Sequence, residues 1–427
     1  MSFETIDTLV VGAGQAGIAL CEHLGKQGVP YLVLEKNRIA EAWRTSRWDA
    51  LVTNGPVWHD RFPNLEFKGN APDEFVSKDR VADYIEEYAR KVDAPVRTGV
   101  EVIKAERLSD RAGFRVETSG GIIEATRIVS ATGAFQHPVI PRIVPQSAAV
   151  TQMHSASYRN PDQLADGAVM VVGAGSSGAQ IADELNRAGR KVYLSVGPHD
   201  RPPRRYRGRD FVWWLGVLGL WDLAAQKPGT EHVTISVSGA YGGRTMDFRR
   251  LADEGVTLLG MTASYQNGTL SFADDVKKNI AAGDANYSEM LDAADAYATA
   301  MGLDLPLEPT AREMLSDPAN LIDPICSLDF AKEGITTIIW ATGYKQDFSW
   351  LNIDAFDDKG APIHQRGVSK EPGVYFLGLP WQSRRGSTFL WGVWHDAKFI
   401  ADQIAIQRAY ADYQGEAAII RPAADHL

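Results

Sequence analysis

Two stretches of the chain close an apolar run on Gly-x-Gly-x-x-Gly: LVVGAGQAGIAL at residues 9–20 and VVGAGSSGAQ at residues 171–180. In such a turn the first glycine makes the bend and the second lets the main chain approach a pyrophosphate. The third lets helix and strand pack closely, and the helix N-terminus turns partial positive charge toward phosphate. Gly12, Gly14 and Gly17 take these places in the first copy, with Gln15 and Ala16 opening the helix. Gly173, Gly175 and Gly178 take them in the second, with Ser176 and Ser177 opening the helix, 161 residues further on. Both copies follow a strand and begin a helix, the context the motif needs to hold a dinucleotide.

The ends of the following strands separate the two ligands. Seven residues after Gly28 stands Glu35, whose carboxylate can accept hydrogen bonds from a ribose 2′- and 3′-hydroxyl pair. Seven residues after Gly189 stands Val196, with Ser195 before it and Arg201, Arg204 and Arg205 after it. An acid would repel a 2′-phosphate, whereas an arginine pairs with one bidentately. The first unit therefore suits an unphosphorylated ribose such as that of FAD, and the second suits NADPH over NADH. The alternative for the arginines is a solvated basic loop.

Around these turns the chain reads as two βαβ units. TLVVGAG, QAGIALCEHLGKQG and PYLVLEK make the first, and AVMVVGAGSSGAQIADELNRAGRKVYLSVG makes the second. Between them lie an aromatic-rich loop, a helix over 78–92, the alternating strands EVIKAERL and FRVETS, a strand RIVSATGAF and a proline-rich passage, QHPVIPRIVP. Beyond the second unit, 222–320 shows only helical patches and glycine turns, followed by strands ITTIIWATGY and GVYFLGLPW and a terminal helix. This gives an α/β fold class with two Rossmann-like dinucleotide-binding domains, the NADP domain inserted into the FAD domain. The expected parts are 1–158 (FAD, first part), 159–324 (NADP, with a substrate-side insertion) and 325–427 (FAD, C-terminal part).

Composition narrows the function classes. The chain has 427 residues, a net charge of −10 and two cysteines, Cys21 and Cys326. Acidity argues against a nucleic-acid partner. Two unpaired cysteines argue against a disulfide framework, a structural zinc site and a Cys-x-x-Cys redox pair, and no metal site is expected; the usage fits a reducing cytosol. MSFETIDTLVVGAG reads as a first strand rather than a signal peptide. FVWWLGVLGLW at 211–221 is too short to span a bilayer and reads as a helix capping a site. The expected location is cytoplasmic, and a homodimer is expected from general frequency alone.

GAGQAG, Glu35, AWR, VTN, SATGAFQHPVIP, HSASYR, GAGSSG, ATGY and GVYFLGLPW, in that order from about residue 7 to 402, resemble the class B flavin-containing monooxygenases. These are single-chain FAD enzymes that use NADPH and dioxygen; plant and bacterial relatives of the indole-pyruvate-oxidising type share the frame. The resemblance implies FAD held by the first loop, Glu35, Lys36, Trp43, Arg44, Val102, Ala131-Thr132-Gly133, Gly378, Leu379 and Gln382. It implies NADP held by the second loop, Ser195, Arg201, Arg204 and Ala341-Thr342-Gly343. Asn54 matches an asparagine beside the flavin ring and the nicotinamide; without the resemblance it reads as an Asn-Gly turn. His59 and Asp60 are a candidate acid–base pair or a satisfied structural pair.

Trp43, Trp48 and Trp58 are candidates to wall off the flavin, or core residues. Trp391 and Trp394 are candidates for the substrate pocket, or packing under the last helix. The family fingerprint is half matched: His154-Ser155-Ala156-Ser157-Tyr158-Arg159 is present, but Ala148 and Val150 stand where Phe and Gly are usual. Tyr158-Arg159 replaces the Trp-Pro usual in the Baeyer–Villiger branch, which tilts the reading toward N- or S-oxygenation of a small organic substrate through a flavin C4a-hydroperoxide. The alternatives are Baeyer–Villiger oxygenation of a ketone, and an NADPH oxidase or flavin-based redox sensor with no oxygenated product. A disulfide reductase shares the architecture but needs a cysteine pair facing the flavin.

Overall fold

The computed structural model describes residues 4–224 and 234–413. Residues 1–3, which begin the expected first strand, and 414–427, the end of the expected third part, lie outside the described residues, as does 225–233 within the poorly legible region.

The first sheet is built on β1 (Glu4–Val11), which α1 (Gln15–Lys26) links to β2 (Tyr31–Glu35). After α2 (Lys78–Lys91) come β3 (Val96–Thr98), β4 (Val102–Arg107), β5 (Phe114–Thr118) and β6 (Gly121–Ser130). β3, β2, β1 and β6 run parallel, with Val10 between Val33 and Val129; β4 and β5 extend the sheet antiparallel from β6. The second half of β1 is wholly buried, as expected of a strand covered on both faces.

The second sheet repeats this plan. Its strands are β7 (Thr151–His154), β8 (Ala168–Val172), β9 (Val192–Ser195), β10 (Thr257–Leu259) and β11 (Ile335–Trp340), with α3 (Ser176–Arg187) after β8. All pairings are parallel in the order β10-β9-β8-β11-β7, with Val171 between Leu194 and Ile339. The sheet reaches past both expected domain boundaries. β7 precedes 159 and β11 follows 324, yet both hydrogen-bond into it. The reason is combinatorial: a strand's sheet is chosen by its hydrogen-bonding partner, which the sequence of one strand does not name.

Between β9 and β11 lies the insertion. It holds the short helix α4 (Phe211–Val217), the 25-residue helix α5 (Val276–Ala300) and an antiparallel ribbon of Thr262–Gln266, Thr269–Phe272 and Ser327–Asp329. The chain then returns to the first sheet through β12 (Val374–Phe376), parallel to β6, and ends in α6 (Leu390–Asp412). α6 packs Val393, Ala397, Ile400 and Ile404 into one core with Ile18, Leu20 and Leu24 of α1. Each of the fully buried valine, leucine and isoleucine side chains contributes ~1.5–3 kcal/mol, which helps to hold the α1 end of the first glycine loop.

Candidate active site

The two glycine loops share a backbone plan. Gly12 has φ +107° and Gly173 has φ +126°. A Cβ on Gly12 would sit 2.6 Å from the Ala131 carbonyl oxygen, and one on Gly173 would sit 2.5 Å from that of Ala341. Each Ala-Thr-Gly strand end thus abuts its own loop. Gly17 and Gly178 each leave only 2.0 Å between a hypothetical Cβ and the carbonyl of the first glycine, so helix and strand meet without side chains between them. Neither α1 nor α3 has a side-chain cap on its first turn, which leaves N–H groups for an anion.

The loops differ in their surroundings. At Gly14 a Cβ would meet nothing within 4 Å; at Gly175 it would meet Thr234 Cγ2 at 3.4 Å. A strap over 234–238 crosses the second loop. The Ser176 N–H donates to the Ile235 carbonyl at 2.8 Å, the Ser176 hydroxyl donates to the same oxygen at 2.8 Å, and the Val237 N–H donates to that hydroxyl at 3.3 Å. Among the described residues, no such strap lies over Gly14, where a Cβ would meet nothing within 4 Å.

At the end of β2, Glu35 accepts the Ala13 N–H at 2.9 Å on one oxygen and the Asn37 N–H at 2.9 Å on the other. Both oxygens keep lone-pair capacity for ribose hydroxyls, so this chemistry fits FAD. Lys36 beside it is exposed, and Val102 follows a segment joined to Glu35 through the Val100 N–H. Trp43 donates from its indole N–H to Gln15 Oε1 at 3.1 Å, and Gln15 Nε2 donates to the Thr388 carbonyl. Arg44 instead pairs with Asp83 and Glu86 on α2 and points its guanidinium at that helix. Gly378 approaches Ala16 and starts the C-terminal turn, where the buried Gln382 accepts the Leu379 N–H and donates to the Arg366 carbonyl. Gln382 is engaged in shaping that turn.

The residues expected to meet a 2′-phosphate are engaged by other groups of the protein. Arg201 is 3% exposed and pairs with Asp247 at 3.2 Å and Asp284 at 2.8 Å. Arg204, also 3% exposed, forks onto Asp210, which caps α4, and lies between the rings of Phe75 and Phe211. The Ser195 hydroxyl donates to the Gly260 carbonyl. Carboxylates on the insertion neutralise Arg201 and Arg204, whereas Arg205 is exposed and donates to the Gly242 carbonyl.

Residues 154–159 join the two units. Buried His154, held below its ordinary pKa by burial, contacts the Gly343 carbonyl through Nε2 at 3.0 Å and accepts the Ala156 N–H on Nδ1. With Nδ1 accepting, Nε2 carries the proton and donates. Arg159 donates to the carbonyls of Ala156 and Tyr158 and, across the junction, to that of Thr45.

The Val52-Thr53-Asn54 loop is where both units converge. Thr53 bonds Val76 in both directions, and the Asn54 carbonyl accepts from Arg204 Nη1 at 2.6 Å. Asn54 Oδ1 accepts from Gln180 Nε2 of α3 at 2.9 Å. Asp60 Oδ2 accepts the Gly55 N–H at 2.8 Å, while its Oδ1 meets His59 Nδ1 at 2.8 Å. A carboxylate oxygen facing a ring nitrogen accepts, so Nδ1 donates to Asp60 and Nε2 is the ring nitrogen left over. That Nε2 is buried and has no hydrogen-bond partner among the described residues. The imidazole lies between Trp221 (5.2 Å) and Trp391 (5.7 Å), each inclined 23° to it, with Trp58 edge-on.

The structure brings Asn54, His59, Asp60 and Trp391 together with Trp221, the last residue of the 211–221 segment expected to cap a site; sequence reasoning missed Gln180. A glutamine on the buried face of α3, where the first copy has Ala19, is the signal that was there to be read. Trp394 turns away: its indole donates to Glu22, which Lys26, Tyr88 and Trp394 hold at about 2 against the opposing effect of burial. Trp48 is buried in the core of the second sheet, not at the pocket. Neither cysteine forms a disulfide: Cys21 is buried in α1 with its thiol pushed up to about 12 by burial, and Cys326 is exposed. No helix among the described residues is long and apolar enough to cross a membrane.

A family model described as pyridine nucleotide-disulphide oxidoreductase matches residues 9–207. The chain is 35% identical over 403 residues to the "Uncharacterized oxidoreductase CzcO-like" of Geobacillus kaustophilus, covering 93% of this chain and 98% of that one. It is 34% identical over 422 residues to indole-3-pyruvate monooxygenase YUCCA1 of rice, covering 93% and 91%. In fold it is similar to a flavin-containing monooxygenase from Stenotrophomonas maltophilia, with a TM-score of 0.65 at 20% identity over 96% of this chain and all of that one.

Proposed function

The chain belongs to the class B flavin monooxygenases, a family of FAD- and NADPH-dependent enzymes, and from that premise we propose that it transfers one atom of dioxygen to a small organic substrate carrying an amine or sulfur nucleophile. The observation that carries this reading is the convergence at Asn54. A loop of the first unit is gripped by α3 and by the insertion of the second, beside a cluster of Trp58, Trp221 and Trp391 around His59, whose Nε2 has no hydrogen-bond partner among the described residues.

FAD, when bound, supplies the electron relay from nicotinamide to dioxygen; the protein supplies placement, shielding and protons. The open first loop and Glu35 hold the flavin's adenosine diphosphate half, and the turn from Gly378 to Gln382 closes over α1. The uncapped start of α3 and the Ala341-Thr342-Gly343 turn receive the nicotinamide dinucleotide once the 234–238 strap yields. Asn54 Nδ2 donates a hydrogen bond at the pocket mouth without releasing a proton, since an amide is not an acid in this range. His59, oriented by Asp60, would take the proton of an ammonium substrate through Nε2 and so leave the neutral amine as nucleophile; a sulfide needs no such step. Trp58, Trp221 and Trp391 keep water from that nitrogen, which limits wasteful loss of peroxide.

The test is NADPH turnover under isotopically labelled dioxygen with amines, sulfides, ketones and indole-3-pyruvate, the substrate in the rice relative's name. Labelled N- or S-oxide is the expected product. A labelled ester would reassign the chain to Baeyer–Villiger chemistry, and peroxide formed at the same rate with every compound would leave an oxidase. Asn54→Ser is expected to raise the peroxide formed per NADPH roughly tenfold, the scale of one catalytic hydrogen bond.

A further inference from the structure

The second unit reaches into the first through one amide. Gln180 lies one turn beyond Ser176 on α3 and is 8% exposed. Its Nε2 stands 2.6 Å from the Val237 carbonyl and 2.9 Å from Asn54 Oδ1. A peptide carbonyl can only accept, so the atom facing Val237 is the amide nitrogen, and the usual ambiguity between amide oxygen and nitrogen disappears. The nitrogen's second N–H then meets Asn54, and the Asn54 atom facing it must accept. Asn54 is therefore fixed with its oxygen toward α3. Its Nδ2, which has no hydrogen-bond partner among the described residues, is the end left for a ligand. Arg204 holds the same residue's carbonyl, so neither backbone nor side chain is free to rotate.

We propose that Gln180 is a positioning residue: it locks the Asn54 amide so that a donor, not an acceptor, faces the flavin–substrate cleft. This rests on the reading of Asn54 given above. The first copy of the motif carries Ala19 at the equivalent place, buried in the core, so the glutamine is not a requirement of the helix–strand packing that both copies share. Because Gln180 bonds both the strap and Asn54, displacement of the strap by a dinucleotide at the second loop removes one of its two acceptors and leaves Asn54 the other.

The experiment compares full-length, FAD-loaded Gln180→Leu, Gln180→Glu, Asn54→Ser and the double variant Asn54→Ser/Gln180→Leu. Two readouts are used: the visible difference spectrum of the oxidised protein titrated with NADP⁺ without oxygen, and peroxide formed per NADPH. FAD content and thermal midpoint control for folding. Gln180→Leu is expected to keep its FAD, to alter the difference spectrum and to raise peroxide on the order of fivefold, the equivalent of one hydrogen bond. The double variant should be no worse than Asn54→Ser alone, because both changes remove the same oriented donor. Gln180→Glu, whose charged carboxylate cannot donate, should match leucine at neutral pH and recover as the medium is acidified and the acid regains one O–H. This variant carries the test if leucine does not fold. A Gln180→Leu protein with unchanged spectrum and leakage, or effects that add in full in the double variant, would overturn the proposal. Failure of the wild type to oxygenate any substrate would overturn the oxygenation reading instead; the NADP⁺ spectrum needs no substrate and still reports on Gln180.

Discussion

At Gly14 the space above the first loop is open, whereas at the equivalent Gly175 it is partly filled by Thr234 and roofed by the Ile235 carbonyl. The two loops are otherwise near copies, down to Val10 and Val171 at the centre of three parallel strands and Gly17 and Gly178 against the first glycine. The helices behind them diverge in the same direction. α1 is embedded in apolar core against α6, while α3 carries Gln180 into the neighbouring unit's loop. A loop embedded in core and open to ligand suits a group that stays. A loop covered by a strap, whose helix touches the catalytic loop, suits a group that comes and goes and whose arrival has to be felt. On the proposed function, near-identical turns would serve residence in one place and exchange in the other, and the difference the structure shows is in what the chain lays over each turn.

Breaking one loop at a time is the severest trial of this contrast. Gly12→Ala would force a Cβ to 2.6 Å from the Ala131 carbonyl at positive φ, and is expected to give colourless protein that does not retain FAD. Gly173→Ala, with the same clash at Ala341, is expected to stay yellow and lose NADPH reduction by at least ~10-fold. If both variants lost flavin equally, as read by visible spectra of the purified proteins, the contrast would fail.

Next in size is Arg204→Ala. Removing one partner of a buried pair strands Asp210, at about 3–5 kcal/mol, and releases the Asn54 carbonyl. Denaturation should show that loss, and steady-state kinetics should show NADPH and NADH impaired alike. A loss confined to NADPH would return Arg204 to the 2′-phosphate. Thr234→Ala is gentler: opening the space over Gly175 should tighten NADP⁺ binding about two- to fivefold and leave FAD content unchanged. Weaker binding in an anaerobic titration would show that the strap assists the dinucleotide rather than competing with it.

The smallest effects concern pH, and they run in opposite directions in the two helices. Glu184 on α3 is pushed up from 4.5 to about 7 by burial, with Tyr158 opposing and Asp49 and Asp183 adding to it. Its folded form prefers the proton, so its contribution is full below about 4.5 and is lost as pH rises through about 7. The equivalent residue on α1 is His23, held down from 6.5 to about 4 by burial. Its contribution is full above 6.5 and is lost as pH falls through about 4. Glu184→Gln should therefore flatten the alkaline limb of the stability profile and His23→Gln the acid limb, each by roughly 1 kcal/mol. Thermal midpoints across pH would reveal both; limbs that move together would mean the two helices do not unfold as separate contributors.

Much of this was legible in the chain. Two glycine turns behind apolar strands give two dinucleotide units, because the turn, the close helix–strand approach and the exposed helix start all depend on local residue size. Glu35 at the end of β2 was legible for the same reason: the βαβ unit fixes its place within seven residues of Gly28. The His59–Asp60 contact lies between neighbours in sequence. Arg201 was not legible, because its partners Asp247 and Asp284 reach it from distant parts of the insertion, whose long α5 helix carries no strong periodic stripe. Arg204 was not legible for another reason, since its partner Asp210 lies close in sequence but faces it only once the short hairpin between them has formed.

What the sequence alone determined is therefore the set of short-range geometries: which glycine turns start a helix without a side-chain cap, which strand end carries a carboxylate, and that the two cysteines stand far apart in the chain. What only the tertiary structure decided is which polar groups remain available once the chain has folded on itself. Two arginines were neutralised, one glutamine was aimed at Asn54, and a strap was laid over the second loop but not the first. A buried donor or charge must find its partner wherever the fold brings one, and that search runs across the whole molecule rather than along the chain.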